Sequence, residues 1–149
     1  MCRNYQNIKG GIIMKATELQ IGDWVGRVFD DKRIIDDYRQ VDWIRTGEIG
    51  MRYQKVWAIG CIEPIQLTPE ILEKNGLEKT LIDEEYCYSL VTMDYVIVIR
   101  TNRDGYWKYD SVREIGRGVV IQRKFDYVHQ LQQALRLCGF DDIADNFKV

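Results

Sequence analysis

Residues 64–77 read Pro-Ile-Gln-Leu-Thr-Pro-Glu-Ile-Leu-Glu-Lys-Asn-Gly-Leu. Thr68 offers a hydroxyl that can accept one of the orphan backbone N–H groups at a helix start. Pro69, at the first helical position, loses nothing, because its missing N–H would have no intrahelical partner there. Glu70 falls in the first turn, where the helix dipole favours negative charge. Gly76 can take the left-handed conformation that ends a helix, and Leu77 can then fold back on Leu72. Only about two turns fit between these marks, so Ile71 and Leu72 must pack on something to hold the helix. The stretch divides the chain into a β-patterned region before it and a second one after it.

Working toward the N-terminus, Ile21-Gly22-Asp23-Trp24-Val25 combines turn chemistry with strand formers, and a strand is expected to about Phe29. Asp30 to Arg33 reads as an exposed loop. Val41–Ile44, Met51–Ile59 and Ile62–Leu67 are further strand candidates, with Glu48-Ile49-Gly50 as a turn. Short strands parted by turns predict a small, strongly bent antiparallel SH3-like β barrel over 15–67. Residues 1–14 read as an N-terminal extension, with Met14 the expected start of the natural protein and 1–13 an upstream extension of the frame.

Toward the C-terminus, the short connector helix is assigned 68–80. Tyr86, Tyr88 and Leu90 alternate with Cys87, Ser89 and Val91. Tyr95–Thr101 is apolar on both faces, which predicts a central strand. Asn102-Arg103-Asp104-Gly105 is a hairpin signal. Tyr106–Val112 returns, and Val119–Gln122 follows the Gly116-Arg117-Gly118 turn. Tyr127, Val128, Leu131, Ala134, Leu135 and Cys138 fall on one stripe at helical spacing, ended by Gly139. The expected fold class is α+β, with the region 81–149 an antiparallel β meander packed by one amphipathic helix.

Several function classes are disfavoured. The net charge of −2 over 149 residues creates no strong field toward nucleic acid or membrane. Locally the charge is uneven: residues 64–94 carry seven acids against Lys74 and Lys79, and residues 100–124 carry seven bases against Asp104, Asp110 and Glu114. No run approaches the ~18 apolar residues of a membrane span. Cys2, Cys61, Cys87 and Cys138 form no C-x-x-C pair, so metal-site spacing is missing and a reducing, cytoplasmic setting is the simplest reading. His129, the single histidine, lies opposite the helical stripe and is expected to face solvent. Asp30, Asp31, Asp36 and Asp37, like Asp141, Asp142 and Asp145, lack calcium-loop spacing and read as solvated loop charge. No catalytic, cofactor or metal constellation is predicted.

Two binding signals remain. Arg100, Arg103, Lys108, Arg113, Arg117, Arg123 and Lys124 are interleaved with Tyr106, Trp107 and Tyr109. Cations hold phosphates and aromatic faces stack bases, so this is a candidate nucleic-acid contact, although an ordinary exposed sheet face has the same composition. Trp24, Trp43, Tyr53 and Trp57 are a candidate aromatic cleft for peptides or modified side chains, set against the simpler reading that the tryptophans are core.

Ile62-Glu63-Pro64-Ile65-Gln66-Leu67-Thr68-Pro69-Glu70 with Leu72 and Gly76, the opening Met14-Lys15-Ala16-Thr17-Glu18-Leu19-Gln20-Ile21-Gly22-Asp23, and Tyr127-Val128-His129-Gln130-Leu131-Gln132 together resemble a group of proteins from gut Bacteroidales genomes and their prophage-like elements. The resemblance covers most of the chain from Met14 to about Gly139. It implies a cytoplasmic accessory protein of a mobile element, carries over no catalytic residue, and supports Met14 as the initiator.

The expectation is a non-catalytic binding or assembly protein that contacts a protein partner, or itself, through β surfaces. The alternative is a nucleic-acid-binding accessory protein of a phage or mobile element using the 100–124 face.

Overall fold

A computed structural model of the protein describes residues 14–29, 34–82, 84–101, 107–114, 120–123 and 125–149. The chain divides into two compact units, 1–65 and 66–149. Both rest on antiparallel sheets with few helices, an α+β protein. The expected loop at 30–33, the hairpin loop at 102–105, the turn at 116–118 and the extension 1–13 lie outside the described residues.

The first unit is a five-stranded antiparallel sheet. Its strands are β1 (Trp24–Phe29), β2 (Ile34–Arg45), β3 (Glu48–Met51), β4 (Lys55–Ala58) and β5 (Ile62–Pro64), in the order β4-β3-β2-β1-β5. The sheet is open: among the described residues β4 and β5 have no pairing with each other. A 3₁₀ turn, Ile59–Cys61, links them in sequence. β2 is twelve residues long and serves two partners, with 34–40 facing β1 and 41–45 facing β3. The register slips between Val41 and Trp43, and such a bulge bends a strand and raises its twist.

Glu48-Ile49-Gly50 is not a turn but the body of β3. The turn falls instead at Thr46-Gly47, where Gly47 has φ +79°. Met51–Ile59 is likewise broken, because Tyr53 and Gln54 turn the chain with φ of 68° and 60°. Met14, Leu19, Val25, Val41, Ile49, Met51, Trp57 and Ile62 form the core, with Ile44 and Ile59 packed against it.

In the second unit the helix marks behave as their chemistry dictates. Helix α1 (Pro69–Lys74) starts at Thr68, whose Oγ1 accepts from the Ile71 N–H at 3.4 Å. The backbone hydrogen bond at Glu70 and then Thr68 hold the Glu70 carboxyl below its ordinary pKa. Gly76 adopts φ +82°, and the Leu77 N–H returns to the Leu72 carbonyl at 3.1 Å. The helix is shorter than the 68–80 assigned from sequence, because the residues after Leu77 extend as β6 (Glu78–Ile82).

β6 adds a fifth strand to the expected four. With β7 (Glu85–Val91), β8 (Tyr95–Thr101), β9 (Trp107–Glu114) and β10 (Val120–Arg123) it forms an open antiparallel sheet ordered β10-β9-β8-β7-β6. β8 is central, as its two-sided apolar pattern predicts.

Helix α2 (Val128–Leu137) follows, and Gln130 Oε1 accepts from the Asp126 and Tyr127 N–H groups at 2.9 and 3.2 Å. Gly139 ends it at φ +82°, and the Phe140 N–H bonds the Leu135 carbonyl at 2.9 Å. The Phe140 ring then lies 4.7 Å from that of Tyr95. A further helix, α3 (Asp141–Asp145), was not expected from sequence. It is tied to α2 by the buried Gln132 Nε2–Ala144 carbonyl bond at 2.7 Å.

Leu131 is fully buried at the middle of α2. Leu131→Ala is expected to cost about 2–5 kcal/mol in denaturant melts, the range for a cavity left in a packed core. A loss below about 1 kcal/mol would contradict the docking of this stripe.

Candidate interaction surfaces

The four residues of the expected aromatic cleft do not share one surface. Trp57 is only 5% exposed and belongs to the core of the first unit. It stands opposite Ile49, whereas Trp43 stands opposite Gly50. Successive strand residues point to opposite faces, so the two indoles lie on opposite sides of the sheet. Trp43 is half-buried because Gly50 has no side chain. A Cβ built there would sit 2.0 Å from the Trp43 ring. Trp24 is also half-buried, while Tyr53, at the β3–β4 turn, is 85% exposed.

Three of these rings already carry a cation from the chain. Arg45 lies 4.8 Å from the Trp43 centroid, Arg27 5.7 Å from Trp57 and Arg39 6.0 Å from Tyr53. Arg39 is also ion-paired with Asp37 at 2.9 Å. Such contacts contribute about 0.5–1 kcal/mol each when exposed, and an occupied ring face is closed to an outside cation.

Of the candidate nucleic-acid residues, Arg100 is exposed on β8, at the register position opposite Tyr109. Arg103, Tyr106, Arg117 and Lys124 lie outside the described residues. Trp107, Lys108, Arg113 and Arg123 are placed on β9 and β10 by their backbone alone.

One open surface was missed in the sequence. All five residues of β6 are exposed, including Leu81 at 62% and Ile82 at 46%. Tyr86, paired with Leu81 across the β6–β7 ladder, is 42% exposed. Among the described residues β6 pairs on one side only, with β7, so its outer backbone groups lack a ladder partner. Its Lys79 folds back with Nζ 4.0 Å from the Tyr86 centroid. The available signal was the β-forming run Thr80-Leu81-Ile82 after the Gly76 stop.

The reactive side chains are enclosed. His129 is 5% exposed and not at the surface as expected, because its position in the first turn of α2 places it against Tyr127; the two rings stack at 5.9 Å. Burial pushes the Tyr88 hydroxyl pKa up, against the nearby Lys79 ammonium. Burial also raises the Cys87 thiol, with Arg100 pulling the other way. Cys87 and Cys138 are free thiols, whereas Cys61 is disulfide-bonded, which departs from the expectation of a wholly reduced set. Among the described residues no cluster of His, Cys, Asp and Glu is arranged to hold a metal, and no helix is long and apolar enough to cross a membrane.

Comparison with protein-family models, with curated proteins and with solved structures finds no match.

Two outcomes follow from these placements. Gly50→Ala must displace the Trp43 ring and is expected to cost about 1–3 kcal/mol, with a changed near-ultraviolet circular dichroism; an unchanged spectrum and stability would contradict the stacking. In the native protein near neutral pH, an alkylating reagent should modify Cys138 well before Cys87, whose thiol is buried and poorly ionised. Mass spectrometry of timed samples reads the order, and equal rates would refute it.

Proposed function

We propose that the protein is a non-catalytic binding or assembly module that contacts a protein partner, or itself, through β surfaces. The observation that carries this reading is β6, an edge strand exposed along its whole length with Leu81 and Ile82 turned out. Soluble sheets normally guard such an edge with proline, a bulge or an outward lysine. β6 has no proline, its register with β7 has no slip, and its lysine lies over Tyr86.

An SH3-like reading of the first unit is part of the proposal. It is supported by the strand order β4-β3-β2-β1-β5, the long bulged β2 and the 3₁₀ turn between β4 and β5. A role as an accessory of a phage-like or mobile element rests on the resemblance carried by 62–76 and 127–132. A cytoplasmic setting is favoured by the free thiols of Cys87 and Cys138, and the bonded Cys61 argues against it.

The second reading, binding of single-stranded nucleic acid, is favoured by the exposed Arg100 at a register position opposite Tyr109. It requires oligonucleotide affinity that falls steeply as salt rises.

The test is affinity capture from the native host with tagged wild type and with Leu81→Lys/Ile82→Lys. Both substituted positions are exposed, so the thermal midpoint should not move. Proteins cross-linked to residues 78–86 of the wild type should be lost with the variant. Capture that is identical for the two forms would overturn the β6 reading.

A further inference from the structure

The turn between β3 and β4 is built from residues poorly suited to it. Tyr53 and Gln54 both occupy the left-handed region, with φ of 68° and 60°. An Asn-Gly pair adopts that conformation readily, whereas a tyrosine is held there against its preference. A strained backbone that the surrounding structure maintains is a reason to ask what its side chains do.

Tyr53 is 85% exposed. On one side the Arg39 guanidinium lies 6.0 Å from the ring centroid, and Arg39 is held in turn by Asp37 at 2.9 Å. Arg52 precedes Tyr53 and Lys55 follows the turn. Both are exposed, and among the described residues neither has an ion-pair partner. Asp42, at the β2 bulge, is exposed and pairs with neither. Lys55 stands opposite Met51, and Met51 opposite Val41. Val41 has the same parity as Arg39, so Lys55 and Arg39 share a face of the sheet. Arg52, Lys55 and Arg39 thus flank one open ring.

A single strand of nucleic acid offers the matching pattern, phosphates separated by bases that each have a π-face. An acidic peptide would use the cations and leave the ring idle. A basic segment would be repelled, and the side of the ring toward Arg39 is already taken.

We infer that the β3–β4 turn is a contact for single-stranded nucleic acid, with Tyr53 stacking on one base and Arg52 and Lys55 holding the phosphates on either side. The inference rests on the second reading above for its ligand and supplies a different site, in the first unit and away from β8; β6 plays no part in it. The turn keeps Tyr53 displayed at some cost in stability, an exchange common at binding sites.

The experiment follows fluorescence anisotropy of a labelled short oligothymidylate with the purified full chain, from low salt upward. For two phosphates on a single strand, log affinity should fall against log salt with a slope of about −1.4. Tyr53→Ala should weaken binding about tenfold or more at every salt concentration. Arg52→Ala/Lys55→Ala should remove most of the salt dependence. Tyr53→Asn/Gln54→Gly separates binding from folding. Its residues suit the left-handed turn, so its thermal midpoint should rise above that of the wild type while its affinity drops about tenfold.

A midpoint that falls instead would show that the turn prefers its own residues, and would overturn the inference. A polyglutamate peptide that binds as tightly as the oligonucleotide would do the same, since the turn would then read charge alone. Binding that survives the turn variants and is lost in Arg100→Ala overturns this site and leaves the second reading standing. No saturable binding at low salt removes both.

Discussion

An open sheet has a cost that no internal packing removes: its two outermost strands keep half of their backbone groups without a ladder partner. Much of what distinguishes the second unit follows from that. The meander runs in sequence order from β6 to β10, so no strand returns to close it. The core lies on one face, where Tyr88, Ile97 and Ile99 are each no more than 2% exposed. Tyr95 has the same parity as Ile97 and Ile99 on β8, and the Phe140 ring meets it after the turn that ends α2. Burial falls away along the same face at the β6–β7 hairpin, from Tyr88 to Tyr86 and Leu81. The exposed apolar side chains of this sheet, Leu81, Ile82 and Tyr86, thus lie where burial falls away along the β6–β7 pair.

How much of this was legible depended on whether the signal was local. The Thr68-Pro69 start, the Gly76 stop with Leu77 turned back, and the Gly139 end of α2 were all readable, because caps are settled within a few residues. The central place of β8 was readable because an unbroken run of β-branched residues suits a strand paired along both edges, although Val96 and Val98, on the face away from the core, are only half-buried. The hairpins of the first unit were not. Glu48-Ile49-Gly50 looks like a turn because of its glycine, yet Gly50 serves packing: it gives the Trp43 ring room on the neighbouring strand. The real β3–β4 turn uses Tyr53 and Gln54, residue types that rarely adopt positive φ, so no propensity marks it. β6 was hidden because Glu78 and Lys79 prolong a helical composition past the stop.

The candidate sites divide in the same way. Residue type alone suggested that three tryptophans and a tyrosine could make a cleft. Face assignment depends on register, and the pairing of Trp57 with Ile49 and of Trp43 with Gly50 separates them. His129 was misplaced for a related reason. A helical wheel treats every turn alike, but the first turn of α2 is also flanked by the chain entering it, and Tyr127 stacks on the imidazole there.

The amide side chains show how the second unit holds its ends without a larger core. A carboxamide offers the same donor and acceptor as a peptide group, so it can stand in for a missing strand or turn. Asn75, just past α1, uses Nδ2 to reach the Lys148 carbonyl at 2.7 Å and Oδ1 to accept the Lys148 N–H at 2.8 Å. The segment after α3 is therefore fastened to α1 by a two-bond clasp, and Phe147 beside it is 3% exposed. Gln130 does the same for the backbone entering α2, and Gln132 for the carbonyl of Ala144 in α3. Burying Gln132 completely would be costly if its amide were unmet, since an unsatisfied polar group in a core costs about 1–3 kcal/mol. The bond to Ala144 is made only when α3 lies against α2, so a polar residue on the buried side of α2 contributes to holding the last helix where it sits.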